Sequence, residues 1–288
     1  MVAPLERVKI LFQTSHYSFV HYSTRWLGFM HAIEAIRHSH GTQALFQGHS
    51  VTLLRIFPYA AINFLAYEQI RAAVITSQDQ ETPFRRVISG SLAGAISTTC
   101  TYPFELLRIR LAVQTKRSSL VAVCRQVYYE GGSKPSIANF YQGFAPTLLG
   151  ILPYAGMSFF THDLIGDWLR SPAIAHYTTI ARSEHNPSDT SRPRLTAVAE
   201  LCSGALAGLV AQTASYPLEI IRRRMQVSRI DVESGGRARI ADTARTIFLE
   251  RGLRGLYVGL TVGYIKIVPM VATSFFVYDR LKWYLGVY

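Results

Sequence analysis

Hydrophobic and polar positions along the chain form long uncharged runs that are separated by charged segments. Three runs of 18 residues contain no Asp, Glu, Lys or Arg: residues 87–104, 143–160 and 201–218. A helix needs about 20 mainly apolar residues to cross the hydrocarbon core of a bilayer. The runs are also rich in Gly, Ala, Ser and Thr, which let helices approach closely in lipid. The pattern therefore predicts membrane-spanning helices.

A short motif occurs three times along the chain. Residues 103–110 read PFELLRIR and residues 217–224 read PLEIIRRR, so that a proline, an acid and a base coincide at the same spacing. A third copy, PLERVK, occupies residues 4–9. Further along, each copy has an aromatic-x-Gly element, which ends at Gly48, Gly143 or Gly259. Internal repetition on this scale indicates a tandem triplication.

Each copy also contains a second apolar segment, which ends beside an acid at Glu68, Asp163 or Asp279. Two membrane-length helices joined by a polar loop are therefore predicted for each copy. We predict an all-α membrane protein with three tandem two-helix repeats in a pseudo-threefold six-helix bundle. The predicted boundaries are residues 1–75 for the first repeat, 83–170 for the second, 171–194 for a polar linker and 195–288 for the third.

The first copy has little sequence in front of its motif. Only Met1, Val2 and Ala3 precede Pro4, whereas the other two motifs follow a long uncharged run. We therefore expect an N-terminally truncated first helix, caused either by a start at an internal methionine or by a truncated product. We also expect the 288-residue chain to transport poorly if at all.

The charge balance limits the kinds of molecule that the protein is expected to bind. The chain has 30 Lys+Arg against 18 Asp+Glu, a formal net charge of +12 and a pI near 9.8. Such a balance suits nucleic acid, an anionic membrane surface or an anionic small substrate. A soluble basic helical repeat that binds nucleic acid would have to bury its uncharged faces, so we expect no nucleic-acid partner.

Motifs of enzymes and metal sites are absent from the sequence. Three cysteines stand singly, and the nine histidines form no HExxH pattern. There is also no GxSxG or Walker sequence, and Gly90-x-x-x-Gly94 predicts close helix packing instead of a phosphate loop. We therefore expect a protein that is not an enzyme and that has no metal and no cofactor.

The repeated motif resembles the hallmark of the mitochondrial carrier family, Pro-x-acid-x-x-base in three copies. Each copy is followed by an acid-to-glycine stretch and an aromatic-x-Gly element, and the resemblance covers essentially the whole chain. It implies a transporter in the mitochondrial inner membrane, with six helices around a water-filled cavity that opens alternately through two gates. It further implies a monomer that contacts membrane lipids such as cardiolipin.

The motif charges form what we call the matrix gate. Ionisable residues at membrane depth need partners or water, and a threefold bundle lets the acid of one copy meet the base of the next. The resemblance implies three such pairs at the matrix side: Glu6–Arg108, Glu105–Arg222 and Glu219–Lys9.

The opposite side would be closed by a cytoplasmic gate with the pattern aromatic-acid-x-x-base. Tyr67-Glu68-Gln-Ile-Arg71 and Tyr278-Asp279-Arg-Leu-Lys282 fit that pattern. The middle copy reads His162-Asp163-Leu-Ile-Gly166, so its base is missing. The pairs Asp163–Lys282 and Asp279–Arg71 remain, and we expect a weakened cytoplasmic gate.

Thirteen residues before each cytoplasmic-gate acid, the three copies carry different residues. The three residues that follow this position are similar in every copy and form a constant frame. The frames are Arg55-Ile-Phe-Pro, Gly150-Ile-Leu-Pro and Lys266-Ile-Val-Pro. By helix rise this level lies roughly 20 Å from the gate, near the membrane midplane where transporter sites lie. Two cations favour an anion, and Gly150 with Ile151 leaves space for a flat base. Three further candidates could equally be packing residues: Tyr59, Asn63 and Tyr154.

The third motif carries three consecutive arginines, which face about 100° apart on a helix. Arg222 is the motif base of the matrix gate. Arg223 has no basic counterpart in the other copies and is predicted as an additional contact for phosphate. Arg224 is predicted to face solvent or lipid headgroups.

The family resemblance extends to a substrate class. The Gly-Ile pair resembles the adenine contact of nucleotide carriers, and residues 2–13, 55–64 and 222–226 resemble the coenzyme A carrier branch, which includes the Graves disease carrier. This implies transport of coenzyme A, in exchange for adenosine 3′,5′-diphosphate or another adenine nucleotide. An ATP-Mg/phosphate or ADP/ATP-type carrier remains an alternative. A carrier-like membrane component that does not transport, or an inactive truncated product, is an alternative of another class.

Overall fold

The structure is a computed structural model, and it describes most of the chain. The described residues are 3–15, 19, 21–22, 27–74, 83–114, 118–131, 135–179, 195–228 and 239–284. The predicted gate residues Asp279 and Lys282 lie on a described helix, but their side chains are outside the described part. Their pairings therefore stay predictions.

Ten α-helices run through the described residues. In chain order they are α1 Ala3–Gln13, α2 Gly28–His40, α3 His49–Val74, α4 Pro83–Val113, α5 Leu120–Tyr128, α6 Phe144–Leu169, α7 Ala175–Thr178, α8 Ala197–Val227, α9 Ile240–Arg251 and α10 Leu260–Tyr284. The prediction of an all-α fold is confirmed. Extended pairing in these ranges is confined to one bridge between Thr179 and Leu195.

The three copies repeat the same order of elements. A helix that carries the motif is followed by a shorter helix, a 3-10 turn and a long second helix. The motif helices are α1, α4 and α8, the shorter helices are α2, α5 and α9, and the second helices are α3, α6 and α10. The 3-10 turns are Thr42–Phe46, Ile137–Tyr141 and Gly252–Tyr257. The short helix α7 falls within the segment predicted as a linker.

Prolines lie inside the long helices at Pro58, Pro103, Pro153 and Pro217. A proline removes one backbone donor, which is unfavourable in the middle of a soluble helix. In membrane helices such residues are tolerated because neighbouring groups satisfy the backbone carbonyl that is left over. Their retention in the helices of all described copies agrees with the membrane interpretation.

The described chain divides into two compact units. One comprises Met1–Pro146 together with Ile220–Tyr288, and the other is Thr147–Glu219. In the first unit the buried side chains collect around the motif ends of α1 and α4. Val8, Leu11 and Phe12 of α1 pack with α2, and Leu106 and Leu111 of α4 pack with α5.

Away from these clusters the long helices expose apolar side chains. On α3, Phe57 is 80% exposed and Phe64 is 63% exposed, and on α6 Leu152 is 73% exposed. Such a surface is unfavourable in water. Among the described residues, Thr42–Val74 and Ile137–Leu169 are long and apolar enough to cross a membrane by length and composition alone. The uncharged runs on α4 and α8 contain many small and hydroxyl residues, which lower their hydropathy.

The predicted close packing at Gly90 and Gly94 is wrong for this conformation. No other described atom lies within 4 Å of the position that a Cβ would take at either residue, and the same is true of Gly204 and Gly208.

Gly48 and Gly143 make the opposite kind of contact. Both have a positive φ, 86° and 78°, and each begins the turn into a second helix. A Cβ at Gly48 would lie 2.9 Å from the Arg108 carbonyl oxygen, and one at Gly143 would lie 3.1 Å from that of Arg222. The aromatic-x-Gly element thus allows the second helix to begin directly against the backbone of the next copy's matrix-gate base.

We expect Gly143→Ala to destabilise the fold by about 1–2 kcal/mol, because a side chain disfavours the left-handed backbone and because space beside Arg222 is lacking. Thermal unfolding of the detergent-solubilised protein measures this as a lower midpoint.

Gly156→Ala on α6 is the matched control, since no described atom lies within 4 Å of its Cβ position and its backbone is helical. It should leave the midpoint unchanged or raise it slightly. An equal loss in both variants would contradict the assigned role of Gly143.

Candidate functional site

Glu6 is the acid of the first motif and lies on α1 between two cations. Arg108 of α4 donates to its Oε2, and Lys266 Nζ of α10 lies 3.1 Å from its Oε1. The side chains of Glu6, Arg108 and Lys266 are 27%, 18% and 22% exposed. The structure thus brings together one predicted matrix-gate pair and one residue that was predicted for the substrate.

Glu105 of α4 is the acid of the second motif, and its side chain is only 5% exposed. Arg222 of α8 donates to its Oε1, and Arg223 Nη1 lies 3.1 Å from the same oxygen. Arg55 Nη1 of α3 lies 3.3 Å from Oε2. One buried carboxylate therefore joins α3, α4 and α8, and a buried carboxylate is tolerated only with such partners.

The two clusters are neighbours along α4. Glu105 and Arg108 are three residues apart, a spacing that places both on one face of a helix. Together the clusters hold five cations and two carboxylates, a surplus of three positive charges. This part of the site therefore favours an anion electrostatically.

Arg55 is held in place by further contacts. Its guanidinium carbon lies 5.4 Å from the centre of the Tyr59 ring, a cation–π distance. Its Nε lies 3.5 Å from the Thr101 hydroxyl of α4. One turn beyond Tyr59, the Asn63 side-chain oxygen accepts a long hydrogen bond of 3.4 Å from Ser97. The side of α3 that carries Arg55, Tyr59 and Asn63 thus faces α4.

The third predicted matrix-gate pair is Glu219–Lys9. Lys9 is 7% exposed in the first compact unit, and Glu219 is half-buried at the end of the second unit. Their pairing stays a prediction from the repeat.

Gly150, Ile151 and Tyr154 belong to α6 in the second unit. A Cβ at Gly150 would lie 3.8 Å from Leu218 Cβ, so α6 and α8 come close there. Ile151 is half-buried and Tyr154 is 46% exposed. The small size of Gly150 therefore suits either close contact between α6 and α8 or space for a ligand.

The described residues of the cytoplasmic gate are exposed. Glu68 and Arg71 at the end of α3, and Asp163 on α6, all lie at the surface. Beside Asp163, His162 Nε2 lies 3.4 Å from the Glu200 carboxylate of α8. The ends of α6 and α8 in the second unit are thus linked by a polar contact at this side.

Sequence reasoning was wrong about Arg224 and passed over its counterpart Arg110. Arg224 is 14% exposed and its Nη1 lies 2.6 Å from Glu250, and Arg110 Nη2 lies 3.0 Å from Glu130. In both copies the base two positions after the gate base pairs with the acid at the start of the acid-to-glycine stretch. The same base and the same acid recur in both copies, although 20 residues separate the partners in one copy and 26 in the other.

A polar chain connects the third motif with the second copy. Arg223 Nη1 donates to the Gln226 side-chain oxygen at 2.9 Å, and Gln226 Nε2 donates to the Tyr102 hydroxyl at 3.0 Å. Tyr102 then donates to the Gln142 carbonyl at 2.9 Å. Gln226 and Tyr102 are fully buried. Arg223 is therefore oriented towards Glu105 by a network that the sequence did not indicate.

Arg7 is a second buried arginine that the motif analysis overlooked. Its guanidinium donates to the Ala112 and Gln114 carbonyls at 3.0 Å and to the Ala44 carbonyl. The last carbonyls of a helix have no partner within it, so Arg7 of α1 caps the end of α4. This role could not be predicted by pairing charges in the sequence, because these partners of Arg7 are backbone carbonyls.

The chain matches a known family model and is similar to several known proteins. The family model described as mitochondrial carrier protein matches residues 1–78, 79–172 and 193–288. The yeast protein named mitochondrial carrier protein LEU5 (Saccharomyces cerevisiae) is 47% identical over 308 residues, which cover 100% of this chain and 86% of that protein. Human solute carrier family 25 member 16 is 35% identical, with 98% and 82% covered.

A plant relative is similar to the chain over the same extent. Mitochondrial carrier protein CoAc1 of Zea mays is 34% identical, with 99% of this chain and 83% of that protein covered. Members of this family are transporters of the mitochondrial inner membrane and not enzymes. Three matched copies and full-length relatives show that the chain belongs to the mitochondrial carrier family.

Proposed function

We propose that this carrier transports coenzyme A by alternating-access exchange, with adenosine 3′,5′-diphosphate or another adenine nucleotide as the exchange partner. The observation that supports it most is the pairing of both predicted substrate cations with matrix-gate acids. Arg55 lies against Glu105 and Lys266 lies against Glu6. An anionic substrate therefore enters a site whose cations also hold the gate.

In this arrangement an anionic substrate and the matrix-gate acids compete for the same cations. A phosphate that binds Arg55 or Lys266 replaces a carboxylate, so that Glu105 or Glu6 loses one of its partners. A ligand shifts a conformational equilibrium by its difference in affinity for the two states. Substrate that binds better where these cations are released thus favours opening of the matrix gate. Without substrate the ion pairs reform, and exchange is favoured over net transport.

The number of cations suits coenzyme A. Its adenosine part carries a 3′-phosphate in addition to the 5′-diphosphate, which gives phosphate groups at two separate places. Arg55 and Lys266, which lie on two different carboxylates, provide for the 5′-diphosphate, and Arg223 adds a third cation beside Arg55 for the 3′-phosphate. Gly150 and Ile151 stay the contacts for the adenine ring that the family resemblance implies.

The relatives support the same substrate class. The maize protein that bears the name CoAc1 aligns with 99% of this chain. The proposal takes the monomer in a lipid bilayer as the transporting unit.

Counter-exchange in liposomes tests the proposal. We expect vesicles that contain the reconstituted chain and internal coenzyme A to take up labelled coenzyme A and adenosine 3′,5′-diphosphate faster than ADP or ATP. Faster exchange of ADP or ATP would favour the adenine-nucleotide alternative. Absence of exchange with all four compounds would overturn the proposal for this chain and would favour the alternative of a carrier-like component that does not transport or an inactive product.

Removal of either substrate cation should weaken transport. Arg55→Ala and Lys266→Ala are each expected to raise the half-saturation concentration roughly tenfold to a hundredfold, since hydrogen bonds to charged groups contribute about 1.5–3 kcal/mol. The measurement is the concentration dependence of the initial exchange rate.

Arg37→Ala is the matched control, because it removes the same charge from an exposed site on α2. It should leave the exchange rate unchanged. Unaltered exchange in Arg55→Ala and Lys266→Ala would favour a carrier-like protein with another role.

Arg223 provides a separate test of the second phosphate place. Arg223→Gln should raise the half-saturation concentration about tenfold for coenzyme A and adenosine 3′,5′-diphosphate, because a charge-assisted contact is lost. ADP should be affected much less, since Arg55 and Lys266 remain. Equal effects on all these compounds would assign Arg223 to the gate alone.

A further inference from the structure

The end of the motif helix α8 is bound by an arginine of the preceding copy. Arg110 of α4 donates from Nε to the Gln226 carbonyl at 2.5 Å and from Nη2 to the Ser228 carbonyl at 3.1 Å. The last carbonyls of a helix have no partner within it and form the negative end of its dipole, so that a guanidinium is favoured there. The Arg110 side chain is only 8% exposed. This contact therefore joins α4 and α8 at their ends.

The end of α4 is bound in the same way by Arg7 of α1. Its Nε donates to the Ala112 carbonyl and its Nη2 to the Gln114 carbonyl, both at 3.0 Å. These carbonyls stand nine and eleven positions after the motif proline of their copy, and so do the two that Arg110 binds. The same two guanidinium nitrogens thus bind equivalent carbonyls of the next copy in both cases.

A third arginine reaches the end of α1. Arg224 of α8 donates from Nη2 to the Ser15 hydroxyl at 2.6 Å. Ser15 also stands eleven positions after its motif proline. We call Arg7, Arg110 and Arg224 the helix-end arginines. Each of them joins the end of one motif helix to another, and together they connect α1, α4 and α8 in a closed ring.

Arg7 occupies a different motif position from the other two helix-end arginines. They stand five positions after the motif acid, where the first copy has Leu11, whereas Arg7 stands one position after it. The two positions are four residues apart and therefore lie on one face of a helix, one turn from each other. At the position of Arg7 the other copies have the buried aliphatic residues Leu106 and Ile220.

The third guanidinium nitrogen also distinguishes the first copy. The other two helix-end arginines direct Nη1 to the carboxylates of Glu130 and Glu250, whereas Arg7 directs Nη1 to the Ala44 carbonyl. Before Gly41, which ends α2, the first copy has no acid at the corresponding place. The first copy therefore differs from the others in both the base and the acid of this contact, and it keeps the contact with the next helix end.

We propose that Arg7 is the helix-end arginine of the first copy, placed one turn earlier, and that the three helix-end arginines hold the matrix side closed together with the matrix gate. In this conformation two of the matrix-gate pairs are formed. Opening of the matrix side separates the ends of α1, α4 and α8, so that each helix-end arginine gives up the carbonyls or the hydroxyl that it binds. The proposal rests on the alternating-access part of the proposed function and not on the substrate.

Ile109 provides a position at which this separation can be measured. Its side chain is fully buried in a cluster with Ile10 of α1 and Ala112 of α4, and Val227 of α8 packs against the same cluster. The ends of all three motif helices therefore cover Ile109. A cysteine at this position reacts with a maleimide when these ends separate.

The labelling rate of Ile109→Cys tests the proposal, in detergent and in a chain whose three native cysteines are replaced by serine. We expect Arg7→Leu to increase this rate roughly tenfold, because hydrogen bonds from a charged group that hold α1 to α4 are lost. Arg7→Leu with Leu11→Arg recreates the arrangement of the other two copies and should return the rate to that of the parent. An unchanged rate in Arg7→Leu would overturn the proposal, and so would failure of Leu11→Arg to restore it.

Ile247→Cys on α9 separates opening of the matrix side from a general loss of the fold. Ile247 is also fully buried, and it packs beside Gly255 of its own copy. Arg7→Leu should leave the labelling rate of Ile247→Cys unchanged, and an equal increase at both cysteines would overturn the proposal. Arg37→Ala removes an exposed arginine from α2 and should alter neither rate.

This measurement is independent of the substrate proposal, because labelling requires no transported compound. The expected pattern in a chain that exchanges none of the four compounds would leave the role of Arg7 standing. Normal exchange of coenzyme A without the expected pattern would leave the substrate proposal standing and overturn this one.

Discussion

The buried carboxylate of Glu105 is the interaction on which the matrix side of the first unit depends. Three guanidinium groups from two other helices converge on it. Removing one member of a buried ion pair typically costs about 3–5 kcal/mol, because the remaining charge is left without compensation. Here the remaining charges would be three cations. Glu105 therefore has a structural role that is independent of the substrate.

Glu6 and Glu105 differ in how firmly they hold their partners. Glu6 has two cations and a side chain that is 27% exposed, whereas Glu105 has three cations and is 5% exposed. Water screens the charges around Glu6 more effectively. A phosphate thus displaces Glu6 from Lys266 more easily than it displaces Glu105 from Arg55. The matrix side is expected to loosen first at α1 and α10.

The features that could be predicted from the sequence are those that recur in each copy of the repeat. The all-α fold and the three copies follow from motif positions that coincide between copies, and the pairs Glu6–Arg108 and Glu105–Arg222 follow from the resemblance to the carrier family. Arg7 and Gln226 were missed because Arg7 binds backbone carbonyls and Gln226 binds a hydroxyl, which no charge pattern indicates. Arg224 was misjudged because its partner Glu250 lies 26 residues away in another helix.

The surplus of positive charge also bears on why exchange is favoured. Five cations around two carboxylates repel one another, and the low dielectric of a protein interior strengthens that repulsion. An anionic substrate lowers this energy when it binds and restores it when it leaves. The unloaded site therefore depends on its two acids to keep the helices together, so that those acids resist reorientation of an empty carrier. A bound anion takes over part of their role, and reorientation becomes easier with substrate than without it.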